Sequence, residues 1–185
     1  MLFRSADLLR RRGRRYGFGV SVVRYAKVYG DIVSSSRVRS LILRGRVCET
    51  SRMLGRLYHI EGTVIKGAGR GASLMNIPTA NIAATNELIP KEGVYAVRVS
   101  FDDNVHNGVA NIGSNPTFDG NKMSYEVHIF DFNRNILGEK LRIHFIDRIR
   151  DEKKFLGFKE LEEQIKKDIE KARFIISKRD DPLYL

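Results

Sequence analysis

Cysteine is nearly missing from this sequence. The 185 residues contain one, Cys48, so no internal disulfide framework is available and a reducing, cytoplasmic setting is expected. Cys48 itself reads as a half-buried apolar filler. No stretch approaches the ~20 consecutive apolar residues of a transmembrane helix, so no membrane association is expected. No apolar h-region follows the N-terminus, and no secretory signal is expected. The one glycine-rich stretch is followed by neither Gly-Lys-Ser/Thr nor a helix start. The first absence excludes a P-loop and the second a dinucleotide fingerprint.

Acidic residues are scarce in one region only. Residues 1–56 hold 14 Arg and Lys against 3 Asp and Glu, which accounts for the entire net charge of +11; the residues after them hold 19 of each sign. A basic balance often points to nucleic acid. Here the excess precedes an electrically balanced remainder, and the Arg10–Arg15 cluster reads more readily as a solvated segment than as a nucleic-acid surface.

What is present is 42% hydrophobic residues, enough for a core, and one chemically distinctive stretch. Gly67-Ala68-Gly69-Arg70-Gly71 is followed by Ile77-Pro78-Thr79-Ala80-Asn81. Three glycines in five residues let a backbone approach a ligand closely, and successive free N–H groups form an anion-binding nest. Arg70 adds a planar donor fork suited to phosphate. Pro78 fixes the chain direction into what reads as a rigid polar turn. Thr79 and Asn81 offer the hard oxygens that Mg²⁺ accepts alongside phosphate and water. On the residues alone, an exposed hairpin loop explains the glycines more readily than a nucleotide site.

The remainder reads as β-structure closed by a helix. Strands are expected at 57–66, 93–101, 105–113, 122–131 and 140–149, with turns at Asp102-Asp103-Asn104 and Asn133-Arg134-Asn135. Short strands with few helices between them predict an antiparallel barrel. Phe158, Leu161, Ile165, Ile169, Ala172 and Ile176 recur at helical spacing, so a helix over 158–176 should pack on one side of the barrel with its charged residues facing water. Helices are expected at 5–15, 38–43 and 47–54, a weak strand at 18–25 and a tail from Lys178. Within 124–130, Tyr125, Val127 and Ile129 share one strand face, and Glu126 and His128 the other. Taken alone, Glu126 and His128 read as a solvent-facing pair.

Gly62-Thr-Val-Ile-Lys-Gly67-Ala-Gly-Arg-Gly71 and Ile77-Pro-Thr-Ala-Asn81 resemble the signature of the riboflavin kinases, the C-terminal half of the bacterial bifunctional riboflavin kinase/FAD synthetases. The resemblance continues through Gly93-Val-Tyr-Ala96, Val109-Ala-Asn-Ile-Gly113, Asn115-Pro-Thr-Phe118, Glu126–Phe132, Ile149-Arg150, Phe155, Gln164-Ile165 and Asp168, covering about Leu54 to Arg173. It implies a six-stranded Greek-key barrel with a C-terminal helix over 54–185. The activity implied is Mg²⁺-dependent transfer of the ATP γ-phosphoryl group to the ribityl 5′-hydroxyl of riboflavin, giving FMN and ADP. Glu126 would be the catalytic base. Gly67, Gly69, Arg70, Ser73, Thr79 and His128 would bind ATP. Thr79 and Asn81 would hold the metal, and Arg150 and Lys153 the flavin. Two positions depart from the pattern: Met75-Asn76 stands where the family usually has Leu-Gly, and Ser73 where some members carry Lys.

Ser34-Ser-Ser-Arg37-Val-Arg39 is similar to the Ser-Ser-Thr-Arg-Ile-Arg motif near the end of the FMN adenylyltransferase module. Residues 1–53 are accordingly expected to be a short, basic α/β remnant of that module. None of the four histidines forms the module's early His-x-Gly-His motif, so FAD synthesis is not expected of this chain. Whether it associates with a separate adenylyltransferase chain is open. Two other readings remain at this point: a flavin- or nucleotide-binding protein without turnover, and a basic nucleic-acid binder using residues 1–56.

Overall fold

The computed structural model describes residues 6–67, 77–117, 120–155 and 157–179, with the backbone alone at 115–117 and 120–122. In order, its elements are α1 (Ala6–Tyr16), β1 (Lys27–Val28), β2 (Asp31–Ile32), α2 (Ser35–Leu43), α3 (Val47–Leu54), β3 (Tyr58–Ile65), β4 (Ala80–Ala84), β5 (Gly93–Phe101), β6 (Asn104–Thr117), β7 (Gly120–Ile129), β8 (Lys140–Arg150) and α4 (Phe158–Ser177). The chain divides into two units, 1–33 and 34–185.

The first unit holds α1 and the β1–β2 hairpin. Tyr29 and Gly30 both take positive φ, 50° and 86°, as a tight hairpin turn of matching twist requires. The strand expected over 18–25 does not form. Val23 and Tyr25 are 88% and 80% exposed, and no ladder partner lies alongside. Alternation of side chains does not make a strand where the backbone hydrogen bonds have nowhere to go.

In the second unit, α2 begins where Ser34, in extended conformation, accepts a hydrogen bond at Oγ from the Arg37 N–H at 3.3 Å. That bond satisfies one of the orphan donors of the first turn. Helix α3 stops at Gly55, in the left-handed region at φ 68°, where a Cβ would be strained. The strands that follow form a closed antiparallel barrel of order β3-β4-β7-β6-β5-β8. The Asp102-Asp103 turn, both residues at positive φ, joins β5 to β6 as the sequence predicts. Residues 77–81 do not end in a rigid turn, however: Ala80 already belongs to β4, and Asn81 lies within that strand.

Two apolar layers hold the barrel. Ile60, Val64, Val97, Ile112, Val127, Ile143 and Phe145 point inward. Val94, Ala96, Val109, Phe130, Ile146 and Ile149 point outward and are covered by Ala172 and Ile176 of α4. Each fully buried aliphatic side chain contributes about 1.5–3 kcal/mol relative to exposure. The first half of β5 is therefore buried on both faces. The charged residues of α4 do not all face water: Asp168 is 4% exposed. It turns inward because Arg150 meets it there, with Nη2 2.8 Å and Nε 2.9 Å from Oδ2.

Candidate functional site

Strand pairing brings several of the candidate residues into one row. Asn81 on β4 lies directly opposite Glu126 on β7. Across the other edge of β7, Glu126 lies opposite Asn111 on β6. Asn111 pairs with Val94 on β5, and Val94 with Arg150 on β8. Directly opposed residues share a sheet face, with Cβ atoms ~4.5–5.5 Å apart. Because Val127, Ala110 and Ile82 point into the barrel, this row runs along its outer surface. Backbone register thus sets Asn81 and Glu126 side by side, and each side chain is half-buried.

Thr79 lies two residues before Asn81, where β4 is about to begin. His128 donates from Nδ1 to the carbonyl of Pro78 at 2.8 Å, which ties β7 to the approach of β4 beside Thr79. Ser124 donates from Oγ to Glu126 Oε1 at 3.2 Å, which holds one carboxylate oxygen. Tyr125 faces the core, and burial holds its phenol above the ordinary tyrosine range. It therefore stays protonated. Gly67 packs against the amide of Asn81.

Beside Thr79 opens a cavity of about 270 Å³, lined by Val64, Ile65, Ala80, Phe132, Ile136 and Leu137 among others. It is apolar where these side chains meet and polar where Thr79, Asn133 and Asn135 border it. Hard oxygens from Thr79 and Asn81, next to a carboxylate, form a donor set that suits Mg²⁺ when phosphate and water complete the shell. The nearest atom that a Cβ on Gly67 would meet is Asn81 Nδ2, at 2.2 Å, whereas Oδ1 would be 3.3 Å away. The oxygen is thus the less occluded end of that amide. Among the described residues no cluster of His, Cys, Asp and Glu could hold a metal without outside ligands.

The remaining candidates are distributed differently. Gly69, Arg70 and Ser73 lie outside the described residues, as do Met75 and Asn76. Arg150 ends the outer row, but its guanidinium is engaged by Asp168 and by the carbonyl of Asp151. Lys153, three residues on, pairs with Glu160 at 2.8 Å. Both cations lie over the ring of Phe155.

Sequence reasoning did not single out Asn111, Glu152 or the cavity residues Phe132 and Ile136. For Asn111 a signal existed. Thr117 pairs with Gly120, so a two-residue connection sets the β6–β7 register, and counting back from it puts residue 111 opposite 126. For the cavity there was none, since it forms between elements distant in sequence.

Residues 54–176 match the flavokinase family, described as riboflavin kinase. Three relatives named bifunctional riboflavin kinase/FMN adenylyltransferase come from Bacillus subtilis, Haemophilus influenzae and Listeria monocytogenes. The first is 43% identical over 76% of this chain and 45% of its own length. The second is 37% identical over 90% and 54%, and the third 40% identical over 89% and 52%. The chain spans about half the length of these curated relatives. A crystal structure described as that of a macrolide-efflux protein from Streptococcus pneumoniae superposes with a TM-score of 0.83 at 34% identity, covering 92% of this chain and 55% of that one. With the family match extending over most of its length, the chain belongs to the riboflavin kinase family.

Proposed function

We propose that this chain transfers the γ-phosphoryl group of ATP to the ribityl 5′-hydroxyl of riboflavin, giving FMN and ADP. The observation that carries the reading is the cross-strand pairing of Asn81 with Glu126. It puts a candidate metal ligand and a candidate base side by side, with Thr79, two residues before Asn81, bordering an open cavity.

The proposed step balances as follows. The 5′-oxygen of the ribityl chain forms a bond to the γ-phosphorus while the bond from that phosphorus to the β,γ-bridging oxygen breaks, and ADP leaves with that oxygen. The hydroxyl proton would pass to the Glu126 carboxylate, which Ser124 holds at Oε1. Such reactions depend on positioning and charge neutralisation more than on covalent help from the protein. Thr79 and Asn81 would hold Mg²⁺, which would supply positive charge against the phosphates. The glycines from Gly67 onward, with Arg70 and Ser73, would cradle the phosphates. His128 keeps the chain at Pro78 in place next to Thr79. The cavity between Thr79, Phe132 and Leu137 has the size and apolar lining to take the purine. Arg150 and Lys153, at the end of β8 and just past it, would border the flavin ring.

We infer that residues 1–53 correspond to the end of an FMN adenylyltransferase module. Alignment with the Haemophilus influenzae relative over 90% of the chain reaches upstream of Leu54, into the segment with the Ser34–Arg39 motif. FAD synthesis is not assigned to these residues, because the His-x-Gly-His motif is missing from the sequence.

The test is direct. The purified chain is incubated with riboflavin, ATP and MgCl₂, and the flavins are separated by chromatography. FMN and ADP in equal amounts, with no FAD, are the expected products. Absence of FMN under saturating substrates contradicts the kinase reading.

A further inference from the structure

Asn111 Oδ1 is a buried side-chain oxygen with no hydrogen-bond partner, unlike the other buried side-chain polar atoms of the described residues. Leaving a buried acceptor unpaired is costly. The orientation of this amide is not arbitrary. Its Nδ2 donates to Glu152 Oε1 at 3.2 Å, and a carboxylate only accepts, so the nitrogen must face Glu152 and the oxygen must face away. Glu152 in turn sits against β6 where Gly113 leaves room: a Cβ there would meet Glu152 Oε1 at 2.3 Å. The result is an acceptor fixed in direction, opposite Glu126 in the strand register, with no donor to it among the described residues.

We propose that Asn111 is a substrate-binding residue whose Oδ1 accepts a hydrogen bond from a hydroxyl of the acceptor's polyol chain, and that Glu152 is the positioning residue that aims it. This rests on the kinase reading above and adds a specificity role to it. Asn81 lies on the phosphate side of Glu126 and Asn111 on the opposite side, so the reacting alcohol is held between two amides with the base in the middle. A site that presents a fixed acceptor to a hydroxyl discriminates strongly against an analogue that lacks the hydroxyl. Glu152 belongs to the connection between β8 and α4. It reaches across to β6 to accept from Asn111 Nδ2, which leaves Oδ1 to receive the substrate hydroxyl.

The experiment compares two ligands rather than one. Riboflavin and lumiflavin share the ring system, but only riboflavin carries the ribityl chain. Binding of each is followed by flavin fluorescence in the presence of MgADP, for the unmodified chain and for Asn111→Ala. The substitution should weaken riboflavin about tenfold, the effect of one hydrogen bond, while the affinities for lumiflavin and ADP stay as they were. A general structural disturbance would weaken both flavins alike. Gly113→Ala provides a second variant. Its clash is with the mobile end of Glu152, so the fold tolerates it, but it displaces Glu152 from Asn111 and should erode the riboflavin preference in the same direction. An undiminished preference for riboflavin over lumiflavin in both variants overturns the role given to Asn111 and leaves the kinase reading intact. No binding of riboflavin by the unmodified chain overturns both.

Discussion

Gly67 and Asn81 are packed so closely that a Cβ on the glycine would meet the Asn81 amide nitrogen at 2.2 Å. The glycine is therefore required for close approach, since a methyl group there pushes the Asn81 side chain out of its row. The obstructing atom is the end of a side chain, so Gly67→Ala should fold. Misplacing a ligand group by about 1 Å costs on the order of 10²-fold in rate. FMN formation should fall by about that factor in Gly67→Ala, with its melting temperature close to that of the unmodified chain. Unchanged turnover would separate Gly67 from the site.

The Arg150–Asp168 pair ties β8 to α4, with side-chain exposures of 20% and 6%. Gln164 adds a third contact, donating to Asp168 Oδ1 at 2.9 Å. Removing one partner of such a pair leaves the other buried and uncompensated, at a cost of about 3 kcal/mol. Asp168→Ala should therefore lower stability by about that amount in urea unfolding. Asp168→Asn, which keeps one acceptor, should lose less. Equal stability of Asp168→Ala and the unmodified chain would mean that α4 is held by its apolar face alone.

His144 gives a pH prediction. It is buried on β8 between His59 and Arg98, and its Nε2 lies 2.9 Å from Ser100 Oγ. Burial, together with the charges of His59, Arg142, Arg56 and Arg98, lowers its pKa to about 4. In the unfolded chain it titrates near 6.5. The folded state resists protonation that the unfolded state accepts, so this contribution to stability is fully present above pH 6.5. It is lost as the pH falls towards 4. His59, lowered by its own burial and by Arg56, acts in the same direction. The melting temperature should drop between pH 7 and pH 4.5, and more gently in His144→Gln. Identical slopes for the two proteins would remove His144 as a cause.

Much of the fold was legible because its signals are local. The Asp102-Asp103 turn and the helical repeat from Phe158 to Ile176 each depend on a few adjacent residues. All five expected strands begin within two residues of their predicted start. What was not legible depends on partners distant in the chain. Strand β4 is five residues long, and Ile77–Asn81 looks like a turn until β3 and β7 flank it. Asp168 looks solvent-facing until Arg150 arrives from β8. Glu126 was picked out by resemblance, since its own neighbours describe an exposed strand face. Only the pairing of β4 with β7 gives it Asn81 for company.

The most direct measurement is FMN formation by Glu126→Gln, alongside riboflavin binding by the same variant. Glutamine keeps the shape and the hydrogen bond from Ser124 but cannot take the hydroxyl proton. Loss of a general base costs roughly 10²–10⁴-fold. Turnover should fall within that range, while riboflavin still binds with near-normal affinity. FMN production at the unmodified rate would contradict the assignment of Glu126 and the mechanism built on it.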